Sequence, residues 1–366
     1  MSTTSLDLAI VGAGPAGLHA ARLASRRGAT YTVFDDHARI GDPWRERYRS
    51  LRLFTPRRWA SLPGMRIDIG FFDYPTGAQL ADYLEKYAAA FDLPVRTSTR
   101  VDRLTPDASG GFHLDLSTGE EAIADRVIVA AGAHHRPIVP RFAGELDAGI
   151  RQLHSTVYQG PEDLAPGLVL VVGAGNSGTD IALDAIKAGH PTVIAGRNPG
   201  EVPAPIDTPI GNLMASIFIR RLRNTTIDTE RGRRFRDEHA GHGVNLVRNH
   251  MAQLEKAGVR HVGRVAGAVD GWPVLDDGEP VDAATVIWCT GSLPRLDWVD
   301  IPAAFDSHGW PSHERGMATA VPGLAFMGLP FQYSVASPTL MGMGRDAEYV
   351  VEHLFAGDRV SAVVRR

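Results

Sequence analysis

Residues 169–178 read VLVVGAGNSG, an apolar run that ends in three closely spaced glycines. Residues 6–17, LDLAIVGAGPAG, have already done the same thing. Each run has the length and composition of a buried parallel strand. In the first copy Gly12, Gly14 and Gly17 are followed by LHAARLASRRG, which reads as a helix stopping near Gly28. TYTVF then reads as a second strand, ending in Asp35 and Asp36. Strand, glycine turn, helix, second strand and acid in that order make a dinucleotide-binding fingerprint. Gly12 permits the tight turn, and Gly14, flanked by Ala13, Pro15 and Ala16, lets backbone N–H groups approach a pyrophosphate. Gly17 lets helix and strand pack closely, the helix N-terminus faces the phosphates, and the acid accepts from ribose hydroxyls.

The second copy keeps this grammar through Gly173, Gly175, Asn176, Ser177 and Gly178, with TDIALDAIKAG as its helix. Its next strand, PTVIAGR, breaks the parallel: Ala195 and Gly196 stand where the first copy has its acid, and Arg197 follows. An acid there would repel the 2′-phosphate that separates NADPH from NADH, whereas a guanidinium pairs with it in bidentate fashion. Two sites of opposite electrostatic character imply two coenzymes, a flavin at the first and NADPH at the second. ADRVIVAAGAHHRP (124–137) and AATVIWCTGSLPR (283–295) are strands that close on small-residue turns. Ala131 and Gly132, and Thr290 and Gly291, are placed there to brush a cofactor between two lobes.

A chain of 366 residues, 44% apolar and 22% charged, is expected to be a globular protein of more than one domain. A net charge of −4 argues against a general nucleic-acid binder. The single cysteine, Cys289, excludes an internal disulfide and a Cys-pair redox centre. With no leader-like N-terminus and no eighteen-residue apolar run, a cytoplasmic protein without stable membrane insertion is expected. His239 and His242 have no third ligand beside them, so no metal is expected, and the loop pair His134 and His135 is read as solvated or locally hydrogen-bonded, with a nicotinamide-side role as the alternative.

Over nearly its whole length the chain resembles the flavin-containing monooxygenases, class B flavoproteins, and above all their short bacterial branch. The resemblance rests on both fingerprints, on GDPWRERYRSLRLFTPRRWASLPG after the first, on LHSTVY with His154 and Tyr158, on CTGSLPRLDW, and on GLPFQYSVASPTLMGMGRDAEYVVEHL near the end. It implies FAD at the first fingerprint and NADPH at the second. It places Trp44 and Arg45 along the flavin and Gly342 in a helix beginning near the flavin ring. It further implies hydride transfer from NADPH, reaction with O2 to a flavin C4a-peroxide, and oxygenation of a small organic substrate at N, S or a ketone. The chain departs from the family pattern at Asp42, an acid where a glycine is usual, at Ala148 and Ile150, and at Phe54. Phe54 stands before Thr55 where many members carry an Asn that holds the flavin-bound oxygen. Asp42, Phe54 and Thr55 are therefore the candidates for tuning oxygen chemistry. Phe54 also keeps open a reductase or oxidase releasing hydrogen peroxide, and a non-catalytic flavin- or nucleotide-binding regulator is a third reading.

The expected fold is α/β with two Rossmann-like dinucleotide-binding domains, the FAD domain discontinuous and the NADPH domain inserted. The FAD domain is expected at 1–155 and 286–366, and the NADPH domain at 160–285 with a helical insertion at 201–262. That insertion, apolar then basic, reads as a solvated helical segment, a substrate lid, or an amphipathic patch on a membrane surface. The sequence leaves a homodimer open.

Overall fold

The computed structural model describes residues 3–108, 110–133, 135–203, 206, 208–239 and 244–356. His134 and His242 lie outside the described residues, and only the backbone of His239 is described.

The first apolar run is not one strand. Asp7 turns the chain by accepting from the Thr30 amide (2.7 Å) and hydroxyl (2.6 Å), and the strand divides there. Thr3–Leu6 pairs with Glu121–Ala124 at the edge of a four-stranded sheet that also holds Phe112–Leu116 and Val101–Pro106. Leu8–Val11 enters the main sheet, parallel to Tyr31–Phe34 on one side and Val127–Val129 on the other. This main sheet has seven strands, ordered His313–Glu314, Met317–Ala318, Leu324–Phe326, Val127–Val129, Leu8–Val11, Tyr31–Phe34 and Val95–Arg96. Strands from both ends of the sequence therefore build one layer. Leu8 and Ile10 are fully buried, each stabilising the fold by roughly 1.5–3 kcal/mol relative to exposure.

Five helices matter for the site: α1 (Pro15–Ser25), α2 (Gly77–Ala90), α3 (Asn176–Lys187), α4 (Pro209–Asn224) and α5 (Leu340–Leu354). α1 packs on α5 and on α2 over the main sheet. The Thr76 hydroxyl and the Gln79 side chain close a capping box that fixes where α2 begins.

A second, all-parallel sheet runs Arg151–His154, Thr285–Trp288, Val169–Val172, Thr192–Ala195 and Arg260–Val262. Its membership differs from the expected boundaries. Arg151–His154 comes from the stretch read as the first domain, and most of Thr285–Trp288 from the stretch read as its return. Both are crossovers whose apolar residues continue the parallel pairing, so they belong to the sheet they enter. The segment 201–262 holds helices α4, Glu230–His239 and Met251–Lys256, but it ends in a strand of this sheet, Arg260–Val262. Among the described residues no helix is long and apolar enough to cross a membrane.

Candidate functional site

The two glycine turns are built alike. Gly12 has φ +108°, and a Cβ there would lie 2.4 Å from the Ala130 carbonyl oxygen; Gly173 has φ +113°, and its Cβ would lie 2.4 Å from the Cys289 oxygen. A Cβ on Gly17 or Gly178 would come within 1.9 Å of the Gly12 or Gly173 oxygen. Only at Gly14 and Gly175 would a Cβ meet nothing within 4 Å. So four glycines are required by protein packing, and the two in the middle face open space. Gly14 and Gly175 are also the N-cap residues of α1 and α3, and neither helix has a side-chain cap. The first-turn amides, from Ala16 and Gly17 in α1 and from Asn176, Ser177 and Gly178 in α3, are the groups a helix start leaves for an anion. Pro15 at the start of α1 has no N–H to lose. Both turns thus fit a pyrophosphate.

Their surroundings differ. Asp35 Oδ2 accepts from the Ala13 amide at 2.6 Å, while Oδ1 takes the His37 amide and ring. His37 also lies 2.8 Å from Asp36, and hydrogen bonds to Asp35 and Asp36 push its pKa up to about 10. The acid expected to meet a ribose is therefore fixed first by its own loop, with lone pairs to spare, and a histidinium lies beside it. At the second turn Arg197 is exposed. The Gly196 carbonyl before it is held by His261 Nε2 at 2.7 Å. The Asn176 side chain turns to protein while its backbone amide stays at the helix start: Nδ2 donates to Asn245 O (3.0 Å) and Oδ1 accepts from the Val247 amide (3.1 Å).

The turns entered by the crossover strands stand beside the glycines. Gly132 (φ +85°) and Gly291 (φ +88°) are exposed, and no atom would come closer than 3.7 Å to a Cβ on either. Ala131 and Thr290 are half-buried next to them, and the Thr290 hydroxyl donates to Ile138 O. Arg136–Pro137 and Ser292–Leu293 pair antiparallel, so the two crossovers are tied together. His154 adds a second tie. Its Nδ1 accepts from the Thr156 amide (3.2 Å), so Nε2 carries the proton and donates to Gly291 O (3.0 Å). Burial lowers its pKa, which keeps that neutral tautomer. Burial pushes the Cys289 thiol up to about 12, as suits an inert packing residue.

Asp42 opens a short helix, Asp42–Arg45, behind Gly41 (φ +89°). Its Oδ2 accepts from the Arg39 amide (2.9 Å) and its Oδ1 meets Arg45 (3.1 Å), so the carboxylate secures this turn. Arg45 reaches on to Asp82 (3.0 Å) and Glu85 (3.2 Å) of α2, and Trp44 packs against the core beneath the main sheet. Phe54 is 36% exposed and Thr55 is buried. A cavity of about 400 Å³ lies close by, lined by Arg52, Ile69, Phe72, Asp73, Tyr74, Thr76, Gln79 and Asn212. At the start of α5, a Cβ on Gly342 would fall 2.2 Å from Ala336 O, so this glycine lets the loop before α5 fold back onto its first turn.

A set of residues missed from the sequence joins these parts. Arg248 donates to Arg52 O (2.8 Å) and Leu53 O (2.5 Å), directly ahead of Phe54. Asp180 of α3 accepts from Tyr48 Oη (2.9 Å) and Asn249 Nδ2 (2.5 Å), and burial raises its pKa to about 6. Ser50 donates to Asp184 on the same helix. Helical spacing puts Asp180 and Asp184 on one face of α3, but nothing local marks their partners, 69 to 134 residues away.

Comparison with known proteins agrees with this geometry. Residues 9–210 match the pyridine nucleotide-disulphide oxidoreductase family. An uncharacterized CzcO-like oxidoreductase of Geobacillus kaustophilus is 34% identical over 350 residues, 95% of this chain and 98% of that protein. An indole-3-pyruvate monooxygenase of Oryza sativa is 36% identical over 191 residues, 52% of this chain and 47% of that one. Among solved structures, a flavin-containing monooxygenase from Stenotrophomonas maltophilia superposes with a TM-score of 0.75 at 26% identity, covering 96% of this chain and 99% of that chain. The chain belongs to the pyridine nucleotide-disulphide oxidoreductase family and is a flavin- and pyridine-nucleotide-dependent oxidoreductase.

Proposed function

On the basis of that membership, we propose that this protein is an NADPH-dependent FAD monooxygenase that places one oxygen atom of O2 on a small organic substrate. The observation that carries this reading is the pair of open, uncapped glycine turns, one backed by Asp35 and the other followed by Arg197. FAD, when bound, supplies the electron relay from NADPH to O2. The chain itself does the rest. The amides of Ala16 and Gly17 hold the FAD pyrophosphate, and those of Asn176, Ser177 and Gly178 hold that of NADPH. Arg197 pairs with the 2′-phosphate. Asp42 and Arg45 act as positioning residues that brace the segment leading to Phe54 and Thr55, which would tune the oxygen chemistry that bound FAD supplies. The tied turns at Gly132 and Gly291 keep the two coenzyme sites face to face.

The substrate is an amine, a sulfide or a ketone, each able to accept one oxygen atom while the second leaves as water, its two electrons coming from NADPH and its hydrogens from the hydride and a solvent proton. Dithiol chemistry is not available to a chain with one cysteine. One observation favours a second reading: Phe54 has no polar group to hold oxygen, which suits release of hydrogen peroxide. The experiment is to measure NADPH consumed, hydrogen peroxide released and product formed across a panel of amines, sulfides and ketones. Product equal to NADPH consumed supports the monooxygenase. Peroxide equal to NADPH consumed with every compound replaces it with the oxidase.

A further inference from the structure

We propose that this protein docks peripherally on anionic lipid surfaces through the face formed by α4 and residues 57–72. The proposal is independent of the catalytic reading. α4 buries Ala215 and Ile219 on one side, the latter packing with Ala336, Met341 and Trp59. Its other side carries Ile210, Met214 and Ile217, exposed to 67%, 40% and 72%. These positions are spaced i, i+4, i+7, so they form one stripe. The stripe is not surplus core, because the inward face of the helix is already filled.

Phe71 and Phe72 are 51% and 57% exposed, edge to face at 5.0 Å, with the Arg58 guanidinium over both rings. α4 rests directly on this stretch. Tyr74 Oη donates to Asn212 Oδ1 at 2.7 Å, Arg223 stacks over Trp59 at 5.0 Å, and Phe72 and Asn212 line the same cavity. These contacts join the two exposed apolar features through one packed unit, and exposed features of this kind mark an interaction site.

Charge identifies the occupant. The whole chain carries −4, yet α4 has three arginines and no acid, with Arg220 and Arg221 exposed, and residues 57–72 have three arginines, Arg57, Arg58 and Arg66, against one acid, Asp68. A hollow of about 450 Å³ beside Phe71 is lined by Arg57, Arg58 and Arg66 with Leu62 and Met65, and no carboxylate faces it. Guanidinium groups beside apolar side chains match a phosphate headgroup lying next to its acyl chains. A second copy of this chain fits poorly, because a two-fold contact through this face would set the arginines against themselves. No described helix spans a bilayer, so the association is interfacial.

The test is co-sedimentation of the full-length protein with vesicles of phosphatidylcholine alone or mixed with phosphatidylglycerol. Binding to the mixed vesicles is expected to be at least about tenfold tighter than to phosphatidylcholine and to weaken with salt. The double variants Ile210→Ser/Ile217→Ser and Phe71→Ser/Phe72→Ser are each expected to weaken it about tenfold, with melting temperatures unchanged because these side chains are exposed. Arg220→Glu/Arg221→Glu gives an independent check and is expected to remove the preference for phosphatidylglycerol. Absence of binding to the mixed vesicles, or binding indifferent to all three variants, overturns the proposal. Dimerisation abolished by the apolar variants, without vesicle binding, overturns it in favour of a second copy covering the face.

Discussion

The turn at Gly12–Gly17 and the turn at Gly173–Gly178 share almost every backbone contact. Gly12 N donates to Phe34 O and Gly173 N to Ala195 O, both at 2.8 Å, and the next crossover presses a carbonyl onto each first glycine. What differs is the charge just past the second strand: Asp35 follows Phe34 directly, whereas Gly196 stands between Ala195 and Arg197. Asp35 is drawn into the first loop by the Ala13 amide, whereas Arg197 stands out in solvent at the second. On the proposed assignment, the alike backbones would cradle the part common to both coenzymes, and the charge just past the second strand would distinguish them.

The largest effect is expected from filling the packed glycines. Gly17→Ala and Gly178→Ala each put a methyl within 1.9 Å of a backbone oxygen, a clash costing about 3 kcal/mol or more. Gly17→Ala is expected to purify without bound FAD. Gly178→Ala is expected to keep FAD and lose reduction by NADPH, as followed by flavin absorbance without oxygen. If both variants lost the same coenzyme, the division of labour between the turns would be wrong.

Next in size is Arg197. Removing one charge-assisted pairing costs roughly 1.5–3 kcal/mol, so Arg197→Ala is expected to raise KM for NADPH about ten- to a hundredfold and leave KM for NADH in place. Steady-state kinetics with both coenzymes decides this; an unchanged NADPH KM assigns the 2′-phosphate to another group.

The tie between the two units ranks third. Arg248→Ala removes both donors to Arg52 O and Leu53 O and is expected to destabilise the protein by about 2 kcal/mol. The flavin reoxidation rate is expected to change with it, because the 52–55 backbone loses its brace. A melting curve together with reoxidation kinetics separates a positioning role from a purely structural one.

The smallest effect is a pH slope. The pKa of Asp180 rises from 3.8 to about 6 in the folded protein. Its contribution to stability is therefore fully present below the unfolded value and is lost as pH rises through the folded one. Asp180→Asn is expected to flatten the wild-type decline in melting temperature between about pH 4 and pH 6. An equal slope in the variant would show that Asp180 is not the titrating group.

Much of this was legible in the sequence. Both fingerprints, their helices, the discontinuous main sheet and the odd charge at Arg197 follow from local order and spacing. Three things did not. Asp7 splits the first strand because it caps Thr30, a contact that an apolar pattern cannot report. The Asn176 side chain is held by Asn245 O and the Val247 amide, and the Asp42 carboxylate by the Arg39 amide and Arg45, engagements that spacing alone does not reveal. The Tyr48–Asp180–Asn249 and Arg248 ties join residues that are neighbours only once both sheets are folded. Local chemistry shows what a turn can bind; long-range partners decide which side chains are already engaged.

The most direct test of the central claim, that two alike turns hold two unlike coenzymes, is an anaerobic titration of the purified wild-type protein with NADPH and, separately, NADH. The expected result is about one FAD per chain, bleached by about one equivalent of NADPH, with NADH effective only at much higher concentration. A flavin that NADPH does not bleach, or that both nucleotides bleach at equal concentrations, would contradict it.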